Sequence, residues 1–296
     1  RSIVIKIIFF IIIVAIIYGI LEFNKINNEK NNTRLLEWEK SLKTNIFHAR
    51  VKTILKEDEI KENIQKIGLT GINNKNIFFS IYDNNENIIY KIGKDGENIV
   101  PASIAKIYTL VYVLDILKDY DKEKKVKAGN EIELNSKDAS AVGLIKGKEY
   151  KINDLISSAV IISAGDSVYT LTKIAYNLEK GIEINTDILK NNSTKDEKSK
   201  VVSDISEHIT KYLKEKIKLS DDTNITDPTG ILNTSKTSYK DMYILMKYIY
   251  SNKDKMKEII LNAETAEMQI SGDFLSGKGQ KLTNTNPFLN KKSSWY

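Results

Sequence analysis

One stretch constrains this chain more than any other. Residues 3–21 read IVIKIIFFIIIVAIIYGIL, with Lys6 as their only charge. At 1.5 Å per residue such a run spans roughly the 30 Å hydrocarbon core of a bilayer. Its apolar side chains contribute roughly −5 to −9 kcal/mol on the insertion scale, enough to carry Lys6 snorkelling at one end. A buried core helix and a cleaved signal peptide are the rival readings. The signal peptide requires a small-x-small cleavage site, and Tyr18-Gly19-Ile20-Leu21-Glu22-Phe23 offers none. The run therefore reads as an uncleaved transmembrane anchor. Arg1 and Lys6 precede it and Lys25, Lys30 and Arg34 follow, so flanking charge does not decide its orientation.

The rest of the chain is more polar. Residues 22–70 are rich in Asn, Lys and Glu and carry short helical patches, such as Leu35, Leu36, Trp38, Leu42 and Ile46. They read as a juxtamembrane stalk and helix with a solvated face, on which His48 has no chemical role. From Asn76 the period changes to two. Residues 77–82 and 87–92 form two strands of a β-hairpin around the turn Asp83-Asn84-Asn85-Glu86. Helical periodicity then dominates over 104–117, 152–177, 203–217 and 238–250, with Ser238 and Asp241 spaced as a helix cap. Residues 191–200 (NNSTKDEKSK) read as a linker.

Composition narrows the chemistry. The chain of 296 residues has no Cys and two His, His48 and His208. This excludes a disulfide scaffold, thiolate metal sites and a Cys nucleophile, and disfavours a Ser-His-Asp triad. No metal or cofactor is expected. The net charge of +6 is scattered among acids, and no nucleic-acid recognition motif accompanies it. An anionic wall or membrane surface accounts for it better than nucleic acid does.

Catalysis, if present, must then use Ser, Lys, Asp, Glu, Tyr or Asn. Ser103-Ile104-Ala105-Lys106 is the only Ser-x-x-Lys in the chain. In a helix, positions i and i+3 share a face, so Ser103 Oγ and Lys106 Nζ can meet. An amine whose pKa is lowered by burial can take the hydroxyl proton, and the helix start favours a developing oxyanion. In a Lys-rich chain the tetrad alone is a weak signal. Its place, after a hairpin and Pro101-Ala102 at the start of an apolar helix, strengthens it.

With its neighbours, the tetrad resembles a known signature. Residues 101–109 (PASIAKIYT) are similar to the PAS-x-x-K-x-x-T motif of penicillin-binding proteins, and most of all to serine-type D-alanyl-D-alanine carboxypeptidases. Further likenesses follow in order. Ser140-Ala141-Val142-Gly143-Leu144 and Ile152-Asn153-Asp154-Leu155-Ile156 resemble the approach to the second motif. Ser163-Ala164-Gly165-Asp166-Ser167 resembles that motif, usually Ser-x-Asn-Asp-Ala. Thr226-Asp227-Pro228-Thr229-Gly230-Ile231 resembles an Asn-Pro-x-Gly-Leu segment. Thr237-Ser238-Tyr239-Lys240-Asp241 resembles a Ser-Thr-Ala-x-Asp helix start, and Asn284-Thr285-Asn286 resembles the Asn-Thr-Asn before the third motif.

The resemblance covers about residues 75–296. It implies an α+β fold of the β-lactamase/transpeptidase kind, an α/β sandwich within a domain over 71–296. It implies Ser103 as the acylated nucleophile, Lys106 as its base and Ser163 as a proton relay to the leaving D-Ala amine. The base of the related β-lactamases is disputed. Gly165 and Asp166 fall at substrate-binding positions, with a structural Asp at a helix N-terminus as the alternative reading of Asp166. The implied partners are peptidoglycan stem peptides ending in D-Ala-D-Ala, β-lactam antibiotics, and membrane lipid along residues 3–21. The implied location is the cell membrane, with the domain on its extracytoplasmic side.

Two departures qualify that picture. Gly165 stands where the motif has Asn, so an amide able to hold the Lys and the substrate carbonyl is missing. Losing one such contact typically lowers rate by about 10²–10³. Restoring it with Gly165→Asn is the expected remedy. The chain also reaches Ser293-Ser294-Trp295-Tyr296 before any Lys-Thr/Ser-Gly motif, and Gly277-Lys278-Gly279 lies too early to replace it. The last strands of the sheet are expected beyond Tyr296, and the sequence as it stands is expected to lack full activity. A non-catalytic, anchored wall-binding or penicillin-sensing homologue and a serine β-lactamase-like hydrolase or esterase are the alternatives. The Ser-Asp-Asn and deacylating Glu of class A β-lactamases are not found.

Overall fold

A computed structural model describes residues 79–82, 87–92, 99–286 and 289, all within the unit Asn74–Tyr296. The expected anchor (1–21, with its apolar run at 3–21), the stalk (22–70) with His48, and residues 293–296 lie outside the described residues. Among the described residues no helix is long and apolar enough to cross a membrane.

The fold is organised around one helix. The 3₁₀ turn Ala102–Ile104 runs directly into α1 (Ala105–Ile116). Tyr108, Leu110, Val111, Tyr112, Val113 and Leu114 of α1 are all fully buried. A helix apolar on every side belongs at the centre of a bundle. Helices α2 (Ile152–Ile161), α3 (Gly165–Glu179), α4 (Lys195–Ile217) and α6 (Lys253–Ala263) pack on it, and α5 (Tyr239–Ser251) packs on α4 and α6.

Among the described residues the strands form three antiparallel two-stranded sheets. The leading hairpin is present as β1 (Phe79–Tyr82) and β2 (Ile88–Ile92), with Phe79 opposite Ile92. Tyr82 stacks on Tyr243 of α5, ring centroids 4.3 Å apart. Strands β3 (Lys125–Lys127) and β4 (Glu149–Lys151) make the second pair, and β5 (Glu267–Phe274) and β6 (Gly277–Thr283) the third. The described architecture is thus α+β, as the sequence implied.

Two expectations need correction, and some elements were not foreseen. The apolar stretch 152–177 is two helices, because Ser163 adopts φ 60 and breaks the path between α2 and α3. Residues 191–200 are largely not a linker. Thr194 accepts from Glu197 N while Glu197 accepts from Thr194 N, and this capping box starts the 23-residue α4. Helix α6 and the β5–β6 hairpin were not anticipated. The expectation at Ser238 holds: its hydroxyl accepts from Asp241 N at 3.2 Å at the head of α5.

One buried ion pair stands apart from the site. Lys173 on α3 lies 3.0 Å from Glu131, and both side chains have no solvent exposure. Glu131 Oε1 also accepts from Gly129 N and Thr170 Oγ1, while Lys173 donates to Lys127 O. Removing one member of such a pair strands the other charge and costs about 3–5 kcal/mol. Glu131→Gln is therefore expected to lower the urea midpoint by that free energy at unchanged slope. A shift within about 0.5 kcal/mol, the usual size at surface positions, would contradict the pairing.

Candidate active site

The Pro101 turn delivers Ser103 to the surface at the mouth of the central helix. Ser103 is exposed, whereas Lys106, one turn on, is only 5% exposed. Their side chains meet as the i, i+3 spacing predicts, with Lys106 Nζ 3.1 Å from Ser103 Oγ. The residue before Ser103, Ala102, has φ 46, a left-handed conformation that a residue with a Cβ rarely adopts. Backbone strain of this kind costs of order 1–3 kcal/mol and persists only where surrounding structure enforces it.

The enforcing structure is the turn Asp227-Pro228-Thr229-Gly230. Lys106 Nζ donates to Thr229 O at 2.8 Å, and Thr109 Oγ1 donates to Pro228 O at 2.8 Å. Gly230, at φ 71, rests directly on the Ala102 carbonyl, where an added Cβ would collide. Only glycine allows that approach at that φ. The turn is itself braced by Asp227, which is fully buried. Its carboxylate accepts from Thr229 N, Thr229 Oγ1 and Leu232 N, and from the Tyr169 hydroxyl at 3.3 Å.

Electrostatics at Lys106 follow from this packing. Burial disfavours the ammonium form and lowers the pKa, and the nearby Asp227 carboxylate opposes it with a smaller effect. The net displacement is downward, toward a neutral amine. In the ammonium state Nζ donates to Ser103 Oγ; in the neutral amine the same contact points the Ser103 O–H at the nitrogen lone pair. One N–H remains anchored on Thr229 O in either state. The arrangement sets an exposed hydroxyl beside a buried amine able to take its proton, the pairing that nucleophilic catalysis requires.

The second-motif residues sit on the α2–α3 junction. Ser163 is half-buried and left-handed at φ 60. Ala164 N donates to Ser158 O, and Gly165 N to Ser140 O at 2.8 Å. No hydrogen bond joins Ser163 to Ser103 or Lys106 among the described residues. Thr285, from the Asn-Thr-Asn segment, donates its N–H to Ile161 O and ties that segment beside Ser163. Asn284 Nδ2 donates to Thr265 O at 2.9 Å, just past the end of α6.

Asp166 takes the structural place at a helix N-terminus that was the alternative to a substrate contact, and Gly165 is packed in a way the sequence did not foretell. Asp166 is 4% exposed. Its two oxygens accept from the backbone N–H groups of Val142, Gly143, Leu144 and Ser167 at 2.9–3.0 Å. That carboxylate organises the 142–144 loop and has its acceptors committed there. Gly165 is buried, and the space a side chain would need is filled by the carboxamide of Asn135. Asp227, the Thr229 carbonyl and Asn135 are the components that residue-by-residue reading left unassigned. The Asp-Pro-x-Gly turn was a signal for the first two; nothing local marked the third.

No protein-family model matches the chain, and no curated protein matches it. Solved structures do. A variant of the Streptomyces K15 DD-transpeptidase superposes with a TM-score of 0.53 at 17% identity, covering 73% of this chain and 76% of that one. A second variant of the same enzyme gives 0.51 at 16% identity, with the same coverage. The described residues have the fold of the DD-transpeptidases. Penicillin-binding protein 5 from Haemophilus influenzae is also similar, with a TM-score of 0.49 at 22% identity. The alignment takes in 69% of this chain and 50% of that one, so the chain spans about half the length of that relative. In DD-transpeptidase terms, the α+β expectation drawn from the motif series is met at the level of fold.

Proposed function

We propose that the protein is a serine-type D-Ala-D-Ala carboxypeptidase acting on peptidoglycan stem peptides. The observation that carries this reading is the 3.1 Å contact between exposed Ser103 and buried Lys106, whose pKa is lowered by its surroundings. The fold shared with DD-transpeptidases and the ordered motif series support it.

In this reading Ser103 Oγ attacks the carbonyl carbon of the penultimate D-Ala as Lys106 takes its proton. The C–N bond to the terminal D-Ala breaks, and the amine leaves with a proton delivered through Ser163 and Lys106. Water then hydrolyses the Ser103 ester and restores the hydroxyl. A β-lactam enters the same first step, its ring amide opening onto Ser103. Residues 3–21 would hold the protein on the cell membrane, with the 71–296 domain on the extracytoplasmic side, where stem peptides lie. A non-catalytic penicillin-sensing or wall-binding homologue is the second reading, favoured by the absence of a side-chain amide at position 165.

The two readings separate in one experiment on the full-length protein. Incubation with a pentapeptide ending in D-Ala-D-Ala is expected to release free D-Ala, with ester turnover visible as catalytic excess over protein. Penicillin acylation without D-Ala release would establish the sensing reading instead.

A further inference from the structure

The missing carboxamide at position 165 has a counterpart thirty residues upstream. Asn135 caps the 3₁₀ turn Asn130–Leu134, with its backbone extended at φ −69, ψ 127. Its side chain lies against the Cα of Gly165, so closely that a Cβ there would overlap Asn135 Oδ1 and touch its Cγ at 3.0 Å. The carboxamide thus occupies the volume that a residue 165 side chain would otherwise fill.

Its orientation is set by one carbonyl. Ser140 O accepts from Gly165 N at 2.8 Å and lies 3.4 Å from Asn135 Nδ2. Reversing the amide would point Oδ1 at that carbonyl, oxygen to oxygen. Held as it is, Asn135 Oδ1 is enclosed and makes no hydrogen bond among the described residues. A buried acceptor left without a partner is unfavourable and rare. Here it is aimed at the turn that carries Ser163. The neighbouring residues tie the same segment to the nucleophile's support. Leu134 and Ser136 line a cavity of about 340 Å³ together with Tyr169, Thr226, Ile231 and Leu232. Tyr169 hydrogen-bonds Asp227, which braces the turn that holds Lys106.

We propose that Asn135 is the positioning residue of this site, supplying from the 3₁₀ turn the carboxamide that the Ser163-Ala164-Gly165 turn lacks, and acting through Ser163. The inference rests on the acyl-transfer reading above. It also changes the expectation for Gly165→Asn. That substitution alone places two carboxamides in one space, so it is expected to slow acylation.

The test is an exchange, read as the second-order rate of acylation by a fluorescent penicillin and the thermal midpoint of the full-length protein. Asn135→Ala is expected to acylate at least tenfold more slowly at a midpoint close to wild type, and Gly165→Asn to be slow as well. The combined Asn135→Ala/Gly165→Asn protein, with its carboxamide moved to the other strand of the contact, is expected to recover to within about threefold of wild type, by the logic of a double-mutant cycle. Asn135→Ser serves as the smaller polar variant if alanine unfolds the loop. Asn135→Ala acylating at the wild-type rate, or a combined protein no faster than the slower single variant, overturns the assignment. Unfolding of both Asn135 variants without rescue by the exchange also overturns it. Wild-type protein that takes no penicillin at all overturns the acyl-transfer reading, and this inference with it.

Discussion

Replacing Ser103 by Ala is expected to abolish covalent penicillin labelling and to lower D-Ala release by on the order of 10⁶, the scale on which loss of a nucleophile disables a coupled catalytic unit. The expectation comes from where the hydroxyl sits. Ser103 is exposed on a strained turn, and its Oγ is the group within hydrogen-bond reach of the buried Lys106 amine. Ser163 and Ser158 are two of the other serines at the α2–α3 junction, beside Ser157 and Ser167. Ser158 Oγ is committed to Leu155 O and Ser167 Oγ, and Ser163 makes no hydrogen bond to Lys106 among the described residues. Neither is placed to inherit the attack. The thermal midpoint of Ser103→Ala is expected to move little, since an exposed hydroxyl contributes little to packing. Labelling that survives in Ser103→Ala at the wild-type rate would remove Ser103 from the mechanism.

Lys106→Met is expected to reduce acylation by about 10²–10⁴, the usual contribution of a positioned general base. Methionine keeps most of the stem volume and discards the amine, along with the hydrogen bond to Thr229 O. The wild-type protein should also show this amine in its pH dependence. Burial lowers the Lys106 pKa despite Asp227. Acylation should therefore rise with pH through an apparent pKa below the ordinary lysine value of about 10.4 and then level off. The sign for stability is related. Because the folded-state pKa is the lower one, the unfolded chain binds more protons between the two values. This group's contribution to stability therefore increases with pH across that window and is least below it. A profile that breaks only at the ordinary lysine value would contradict a desolvated base. Lys106→Arg should not rescue, because a guanidinium does not deprotonate in this range and its fork does not match the single carbonyl of Thr229.

Much of this site was legible in the sequence, for definite reasons. Ser103 and Lys106 are three residues apart on one helix, so local geometry alone brings them together. The apolar run after them marks α1 as the buried centre, and that burial lowers the lysine pKa. The Asp-Pro-x-Gly segment was recognisable by its resemblance, but that did not show that the Thr229 carbonyl within it anchors Lys106 more than a hundred residues away. Other features resisted reading because their cause is not local. The α2–α3 break falls inside an apolar stretch, where nothing but the left-handed Ser163 interrupts helical periodicity. The start of α4 is polar, and its capping box outweighs a composition that suggests a linker. The β5–β6 hairpin is polar on much of its length, and Leu282, Ile270 and Phe274 are its buried positions. Asn135 is invisible to any motif, because its meaning depends on Gly165 across a gap of thirty residues.

Asp166 shows the reverse case. Its place beside the second motif allowed a substrate contact or a structural role at a helix N-terminus, and both its oxygens accept from four backbone N–H groups. Carboxylates satisfied in this way build loops. The position of Gly143 supports that role, since its N–H reaches Asp166 while its own carbonyl accepts from Leu275 N at 2.9 Å. The same loop supplies the Ser140 carbonyl that orients Asn135. The second motif is therefore held by Asp166 through the 142–144 loop, with Asn135 packed against Gly165 and Thr285 tying the Asn-Thr-Asn segment to the end of α2.

The most direct measurement is to map the penicilloyl adduct. The full-length protein is acylated with a β-lactam, digested, and the modified peptide sequenced by mass spectrometry. The account predicts one adduct, on Ser103 in the peptide that also carries Ala102 and Ile104. An adduct on Ser163 or any other residue, or none at all on folded protein, would contradict it.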